Sequence, residues 1–179
     1  MLQKNNTILK IFLESPTSRF QLRELSRESK LSTTAVKSAL KNLLSTDIIK
    51  TEREKKYLFY RANSENEKFK LFKKFYTIKS IIESDLLKFI DKEFYYPEAV
   101  ILFGSAARGE DIKRSDIDIF ILTTKKKEVS VEKFEKKLKK PLKLLIMDKK
   151  EFEIAKKRNP ELINSIANGI ALKGHLELL

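Results

Sequence analysis

The 179-residue chain has no cysteine and no tryptophan, a single histidine, and only 4 Gly and 4 Pro. Without thiols it can form neither a disulfide nor a thiolate zinc site. One imidazole, His175, argues equally against a histidine metal cluster and against a Ser-His triad. Metal chemistry is left to carboxylates. The scarcity of Gly and Pro favours regular elements with short connections over disordered chain. No apolar run approaches the roughly 18 residues that a membrane span needs. Met1-Leu2-Gln3-Lys4 leads into an amphipathic segment rather than the core of a signal peptide. These absences point to a cytoplasmic protein with no membrane partner.

What is abundant is charge. Hydrophobic residues make up 41% of the chain, enough for a packed interior, and charged residues 35%, with a formal net charge of +13. Such basicity suits a polyanion, because Lys and Arg that neutralise phosphates gain from counterion release. It is spread along the chain, with 13 Lys and Arg against 7 Asp and Glu in residues 1–66 and 25 against 18 beyond. Heavy Lys usage also accompanies growth at high temperature, so charge alone does not identify the partner. The runs Lys125-Lys126-Lys127, Lys136-Lys137 and Lys139-Lys140 read as solubilising charge.

Periodicity divides the chain. Ile8, Leu9, Ile11, Phe12 and Leu13 suit the buried face of a first helix, ended by Ser15-Pro16-Thr17. A short second helix is expected over residues 20–28, with Leu22 and Leu25 on one side. After Ser32 or Thr33 as N-cap, Val36, Leu40, Leu43 and Leu44 form a one-sided stripe, leaving Thr34, Lys37, Ser38 and Lys41 on the opposite face. Ile48-Ile49-Lys50 and Tyr57-Leu58-Phe59-Tyr60 read as two strands joined by the charged stretch from residue 51 to 56.

Three helices followed by a β-hairpin make a winged helix. The segment Phe20-Gln21-Leu22-Arg23-Glu24-Leu25-Ser26, followed by Leu31-Ser32 and the Val36/Leu40 helix, resembles the winged helix-turn-helix transcription regulators. That resemblance implies contact with double-stranded DNA. Thr33 and Thr34 would meet phosphate or base edges, Lys37, Ser38 and Lys41 would enter the major groove, and Lys55 or Lys56 of the wing would touch backbone. An ordinary solvated helix face, or a winged helix that docks a protein, fits the same residues.

Asn63-Ser64-Glu65-Asn66 is a polar break, after which Phe69, Phe72, Phe75 or Tyr76, Ile78, Ile82, Leu86, Phe89 and Ile90 keep an approximate helical period. One long linker helix is expected up to Tyr96-Pro97, its apolar face serving as core or as the seam of a homodimer. Then come the apolar strand Ala99-Val100-Ile101-Leu102-Phe103, Gly104-Ser105, a short helix near residues 106–108 and a polar loop over residues 109–115. Strands are expected over residues 116–122 and 142–147, with a lysine-rich helix over residues 125–140 between them. The expected fold is α+β. Its parts are a winged helix in residues 1–64, the linker helix in 65–96 and a small mixed-sheet domain in 97–179.

Asp116 and Asp118 carry the strongest chemical signal. Alternating side chains on a strand share a face, so the two carboxylates converge while Ile117, Ile119 and Ile121 turn to the core. Adjacent carboxylates repel, and a hard cation such as Mg²⁺ relieves this by taking one or two carboxylates plus water and phosphate. Gly104 lets backbone approach a ligand closely, and the helix start after it offers N–H groups to a phosphate. Ser105 adds a hydroxyl. Arg108, one helical turn on, reaches either a phosphate or the acids Glu110 and Asp111.

Leu102-Phe103-Gly104-Ser105-Ala106-Ala107-Arg108-Gly109-Glu110, followed by Arg114-Ser115-Asp116-Ile117-Asp118-Ile119, resembles the polymerase-beta-like nucleotidyltransferases, and more closely their minimal stand-alone branch. The ten residues between Ser105 and Asp116 lie within that family's usual spacing. The resemblance implies that Gly104 and Ser105, with Arg108 and Ser115 nearby, hold the phosphates of a nucleoside triphosphate such as ATP. It implies further that Asp116 and Asp118 bind Mg²⁺ for attack on the α-phosphorus with loss of pyrophosphate. Active members usually carry a third carboxylate on the next core strand. Here Lys143 occupies about that position, and Asp148 comes only at the strand's end.

Three functions are compatible with these residues. One is a DNA-binding regulator that transfers a nucleotide to a protein hydroxyl, as related antitoxin-type domains do to partner toxins. The second is a non-catalytic transcription regulator whose C-terminal domain serves as a nucleotide sensor or as a dimerisation module. In the third, an antitoxin-type protein, the winged helix docks a protein partner such as a toxin.

Overall fold

A computed structural model describes residues 2–177. Positions 1, 178 and 179, the outermost residues of the two expected domains, lie outside the described residues. The chain forms two compact units, the first ending at Lys73 and the second beginning at Lys74.

In the first unit, helices α1 (Leu2–Glu14), α2 (Leu22–Ser29) and α3 (Thr33–Ser45) pack on one another. Ile8, Phe12, Leu25, Val36 and Leu40 are all at most 2% exposed, so the apolar periods become this unit's core. Ser32 caps α3, its Oγ accepting from the Ala35 N–H at 3.3 Å. Leu44, expected on the buried stripe, is 36% exposed.

Phe20 is not helical. With Arg19 it forms β1 (Arg19–Phe20), because Gln21 takes the N-cap of α2 and its N–H donates to Glu24 Oε2 at 2.6 Å. The charged stretch from residue 51 to 54 is strand, not loop: β2 (Ile49–Glu54) pairs antiparallel with β3 (Tyr57–Ala62) around a tight turn at Lys55 and Lys56. Its two acids are met by arginines of the other strands. Arg61 lies 3.4 Å from Glu52, and Arg19 of β1 lies 2.5 Å from Glu54. The sheet order is β1-β3-β2.

The expected single linker helix is two. Helix α4 (Glu67–Glu83) contains the division between the units, and α5 (Leu86–Glu93) follows after a break at Ser84-Asp85. Asp85 is left-handed at φ 66, and the buried Ser84 hydroxyl donates to Ile81 O at 2.7 Å while accepting from Leu86 N–H at 3.2 Å. The side chain thus takes up backbone groups that the interruption frees. Helix α5 stops before Tyr95 and Tyr96, both left-handed and exposed.

The second unit is built on a four-stranded mixed sheet of order β6-β5-β4-β7. Strand β4 (Ala99–Phe103) pairs antiparallel with β5 (Ile117–Leu122) and with β7 (Ile170–Gly174), and β5 pairs parallel with β6 (Leu142–Met147). Ile117, Ile119 and Ile121 join Val100, Leu102, Leu86, Ile90 and Phe134 in one core. Phe120 and Leu122 point to the other face, where they meet Phe152, Ile163 and Ile166 of α8 (Lys149–Arg158) and α9 (Pro160–Ala167). Both faces of the sheet are therefore covered by helices.

Only Glu132–Leu138 of the expected lysine-rich helix is helical; this is α7. Residues 125–131 run without regular structure, and Val129 and Val131 pack individually against the core. Among the described residues no helix is long and apolar enough to cross a membrane.

Phe120 is fully buried and its ring lies 5.6 Å from that of Phe152. Phe120→Ala should lower the stability of the second unit by about 3–5 kcal/mol through lost contacts and a residual cavity. Urea unfolding followed by far-UV circular dichroism suits a chain without tryptophan. A loss below about 1 kcal/mol would mean that this face collapses freely around the deletion.

Candidate active site

Antiparallel pairing of β4 with β5 brings the two halves of the sequence motif together. The chain leaves β4 at Phe103 and re-enters the sheet at Ile117, with Phe103 opposite Asp118. The end of one strand therefore lies beside the start of the next. Helix α6 (Gly104–Arg108) begins at this junction. Gly104 has φ +71, and a Cβ built on it would sit 2.6 Å from Asp118 Oδ2, so no side chain fits between this backbone and the carboxylate. Ser105 is half-buried in the first turn of α6.

The loop between α6 and β5 is held by its own polar groups. Ser115 Oγ accepts from the Ile112 N–H at 3.0 Å, and Lys140 Nζ binds Asp111 Oδ2 at 2.5 Å and Ile112 O at 2.6 Å. Asp111 is buried, so this ion pair fixes the loop from within. Of the two options for Arg108, it takes the acid: its Nε donates to Glu110 Oε2 at 2.8 Å, beside the loop and outside the Gly104–Asp118 contact. Ser115 is thereby a loop-forming residue next to Asp116 as well as a nearby hydroxyl.

Asp116 precedes β5 and Asp118 lies within it, both half-buried. Burial and, second, the neighbouring Asp116 charge push the Asp118 carboxyl above its ordinary value, against a smaller opposing pull from Lys143. Lys143 is the Cα partner of Asp118 on β6, and its ammonium forms an ion pair with Asp116 Oδ2. The hydrogen bond that Lys143 donates to Asp116, and then the Asp116 charge, push the Lys143 ammonium above its ordinary value, so it remains protonated.

Asp148 does not supply the absent acid. It follows Met147, which pairs with Leu122 at the far end of β5 from Asp118. There it caps α8, its Oδ1 accepting from Glu151 N–H at 2.9 Å, and pairs with Lys126 at 3.1 Å. The signal for the Lys143 contact was present in the sequence as one charged residue inside the strand Leu142–Met147, but its partner depended on strand order. The loop staple between Lys140 and Asp111 had no such signal, because the two residues are 29 apart.

The donor set fits one divalent cation. Two carboxylates converge, one against the glycine turn, while the position of a third acid carries an ammonium already engaged with Asp116. In the first unit, Thr33, Thr34, Lys37, Ser38 and Lys41 are exposed on α3, and Lys55 and Lys56 are exposed at the hairpin turn.

Comparison with known families gives a match to the nucleotidyltransferase domain over residues 83–172. The match spans half of the chain and contains the glycine turn and both aspartates, so the chain belongs to the nucleotidyltransferase domain family. No curated protein and no solved structure matches it. Membership implies nucleotide transfer in general, a reaction for which such domains generally use a nucleoside triphosphate and a divalent metal.

Because the Asp118 carboxyl is raised in the folded chain, its ionised form opposes folding, and the penalty sets in above the ordinary carboxylate pKa and is complete above the raised one. Asp118→Asn should therefore raise stability at neutral pH, by no more than about 1 kcal/mol after discounting for solvent screening. The difference should vanish below about pH 4, where the parent carboxyl is itself protonated. Thermal melts of both proteins at the two pH values test this. A variant less stable than the parent at neutral pH would show that Asp118 is held by attraction rather than opposed by repulsion.

Proposed function

We propose that this chain is a cytoplasmic DNA-binding regulator whose nucleotidyltransferase domain binds ATP with Mg²⁺ and transfers a nucleotide to a protein hydroxyl. The observation that carries the nucleotide half is the Gly104–Asp118 contact. It joins a turn that only glycine fits to a carboxylate beside a second carboxylate. Phosphate oxygens are expected at Gly104 and Ser105, and the cation at Asp116 and Asp118. When bound there, Mg²⁺ would neutralise phosphate charge and withdraw electrons from the α-phosphorus.

The protein's own groups orient and screen. Gly104 admits phosphate to its backbone, Ser105 donates its hydroxyl, and the Lys140–Asp111 staple keeps the loop from drifting. In transfer, the acceptor hydroxyl oxygen bonds to the α-phosphorus. The bond from that phosphorus to the oxygen bridging to the β-phosphorus breaks, and pyrophosphate leaves with the bonding pair. The acceptor proton passes to water, since Lys143 is already protonated and Asp148 is engaged on α8. Without a positioned base this step is slow.

Support for DNA binding comes from the order α1, β1, α2, α3, β2, β3, which fits a winged helix with α3 as recognition helix and the Lys55-Lys56 turn as wing tip. We propose a homodimer as well, since α4 leaves Phe75 68% and Ile82 58% exposed.

The Lys143–Asp116 ion pair favours a second reading, in which the domain senses nucleotide without transferring it. Incubation with Mg²⁺ and α-labelled ATP, in the presence of cell protein, separates the two. Label transferred by the parent and lost in the Asp116→Ala, Asp118→Ala double variant supports transfer. ATP retained without any label transferred supports sensing, and no retained ATP removes both readings.

For the DNA half, Lys37→Ala with Lys41→Ala should weaken binding to non-specific duplex about tenfold or more and reduce the salt slope by roughly two. Fluorescence anisotropy at several salt concentrations measures both quantities. Duplex binding that is absent, or unchanged in the variant, would favour the antitoxin-type alternative, in which this unit docks a protein partner such as a toxin.

A further inference from the structure

Lys143 stands on the site's own strand edge, next to Asp118 in register and bound to Asp116. Its place is set by the fold rather than by a flexible loop: parallel pairing of β5 with β6 puts the two residues side by side, so their side chains leave the sheet on the same face. The stem is largely exposed, with the side chain at 70% accessibility, yet the ammonium returns to Asp116, whose side chain is only 28% accessible. The pair therefore lies at the mouth of the site rather than beside it.

Charge gives this position a consequence. Exchanging an acid for a lysine alters the local charge by two units, which is the charge of one divalent ion. A site with three carboxylates and two divalent ions carries one net positive charge. Two carboxylates, one ammonium and one divalent ion carry the same. The field presented to an incoming triphosphate is then conserved while the number of metal ions falls by one. A second divalent ion would instead meet an ammonium held on the very carboxylate it needs, with no third acid to retain it.

We propose that the Lys143 ammonium fills the second cation position of this site, so that a single divalent ion completes it together with a nucleoside triphosphate. This rests on the reading that Gly104, Ser105, Asp116 and Asp118 hold such a nucleotide. Lys143 is thereby a positioning residue: it keeps Asp116 oriented and presents fixed positive charge at the mouth of the site. A protonated ammonium cannot take up the acceptor's proton, so the acceptor has to arrive already nucleophilic or react slowly.

The full chain is dialysed against Mn²⁺ and a non-hydrolysable ATP analogue, and both bound species are counted, the ion by electron paramagnetic resonance. The parent should hold one Mn²⁺ per bound analogue and Lys143→Glu should hold two. In the absence of nucleotide, Lys143→Gln should bind Mn²⁺ more tightly, by up to about fivefold, the most that release of an exposed ion pair supplies. This neutral variant keeps the test intact should three adjacent carboxylates prevent Lys143→Glu from folding.

Two Mn²⁺ ions per analogue in the parent, bound analogue without Mn²⁺, or Mn²⁺ affinity unchanged in Lys143→Gln would each overturn the proposal while leaving nucleotide binding standing. A folded Lys143→Glu that still holds one ion would do the same. Failure of the parent to retain the analogue at all would remove the nucleotide reading, and this proposal with it.

Discussion

The second unit depends on one pairing, that of β4 with β5 in the register that sets Phe103 opposite Asp118. Antiparallel geometry places the end of one strand beside the start of the next, which is where both halves of the motif lie. A shift by one residue would turn Asp118 into the core and Ile117 or Ile119 out of it. The apolar residues on both faces of β5 hold this register, with Ile119 buried in one core and Phe120 in the other. The position of the carboxylates is thus a by-product of hydrophobic packing, and the chemistry borrows its precision from the core.

The same pairing explains why the site tolerates repulsion. Asp118 is half-buried, close to Asp116 and pressed against a glycine turn, an arrangement that opposes its ionisation. Such a cost persists only where the surrounding sheet is stable enough to impose it. The Lys143 charge offsets part of it, and a cation or a proton would offset more. The site is therefore poised for positive charge, and the lysine determines how much of that charge remains to be supplied from solution.

Loop and helix boundaries follow a similar logic, in which side chains far apart in the chain finish what local propensity begins. Asp111 is buried where Lys140 reaches it, and Ser84 interrupts an otherwise helical period because its hydroxyl can satisfy the backbone there. In the hairpin, Glu52 and Glu54 are strand residues met by Arg19 and Arg61. Strong local patterns survived, as with Val36, Leu40 and Leu43 of the α3 stripe, from which Leu44 alone departs, and the apolar run of β4. Weaker ones yielded to tertiary context, as with residues 125–131, whose valines pack singly rather than on a helix face.

By itself the sequence determined the glycine turn, the spacing that brings two carboxylates together at the start of one strand, and the family to which they belong. Each of these depends on short-range spacing and side-chain alternation, which chain geometry enforces locally. It also exposed a lysine where an acid was expected. Only the tertiary structure decided what that lysine does, that Asp148 caps a helix instead of joining the site, and that Arg108 turns to Glu110. Strand order, crossover connections and long-range ion pairs govern those outcomes. They arise when separated segments bury a common core, and no local pattern of residues records which segments will meet.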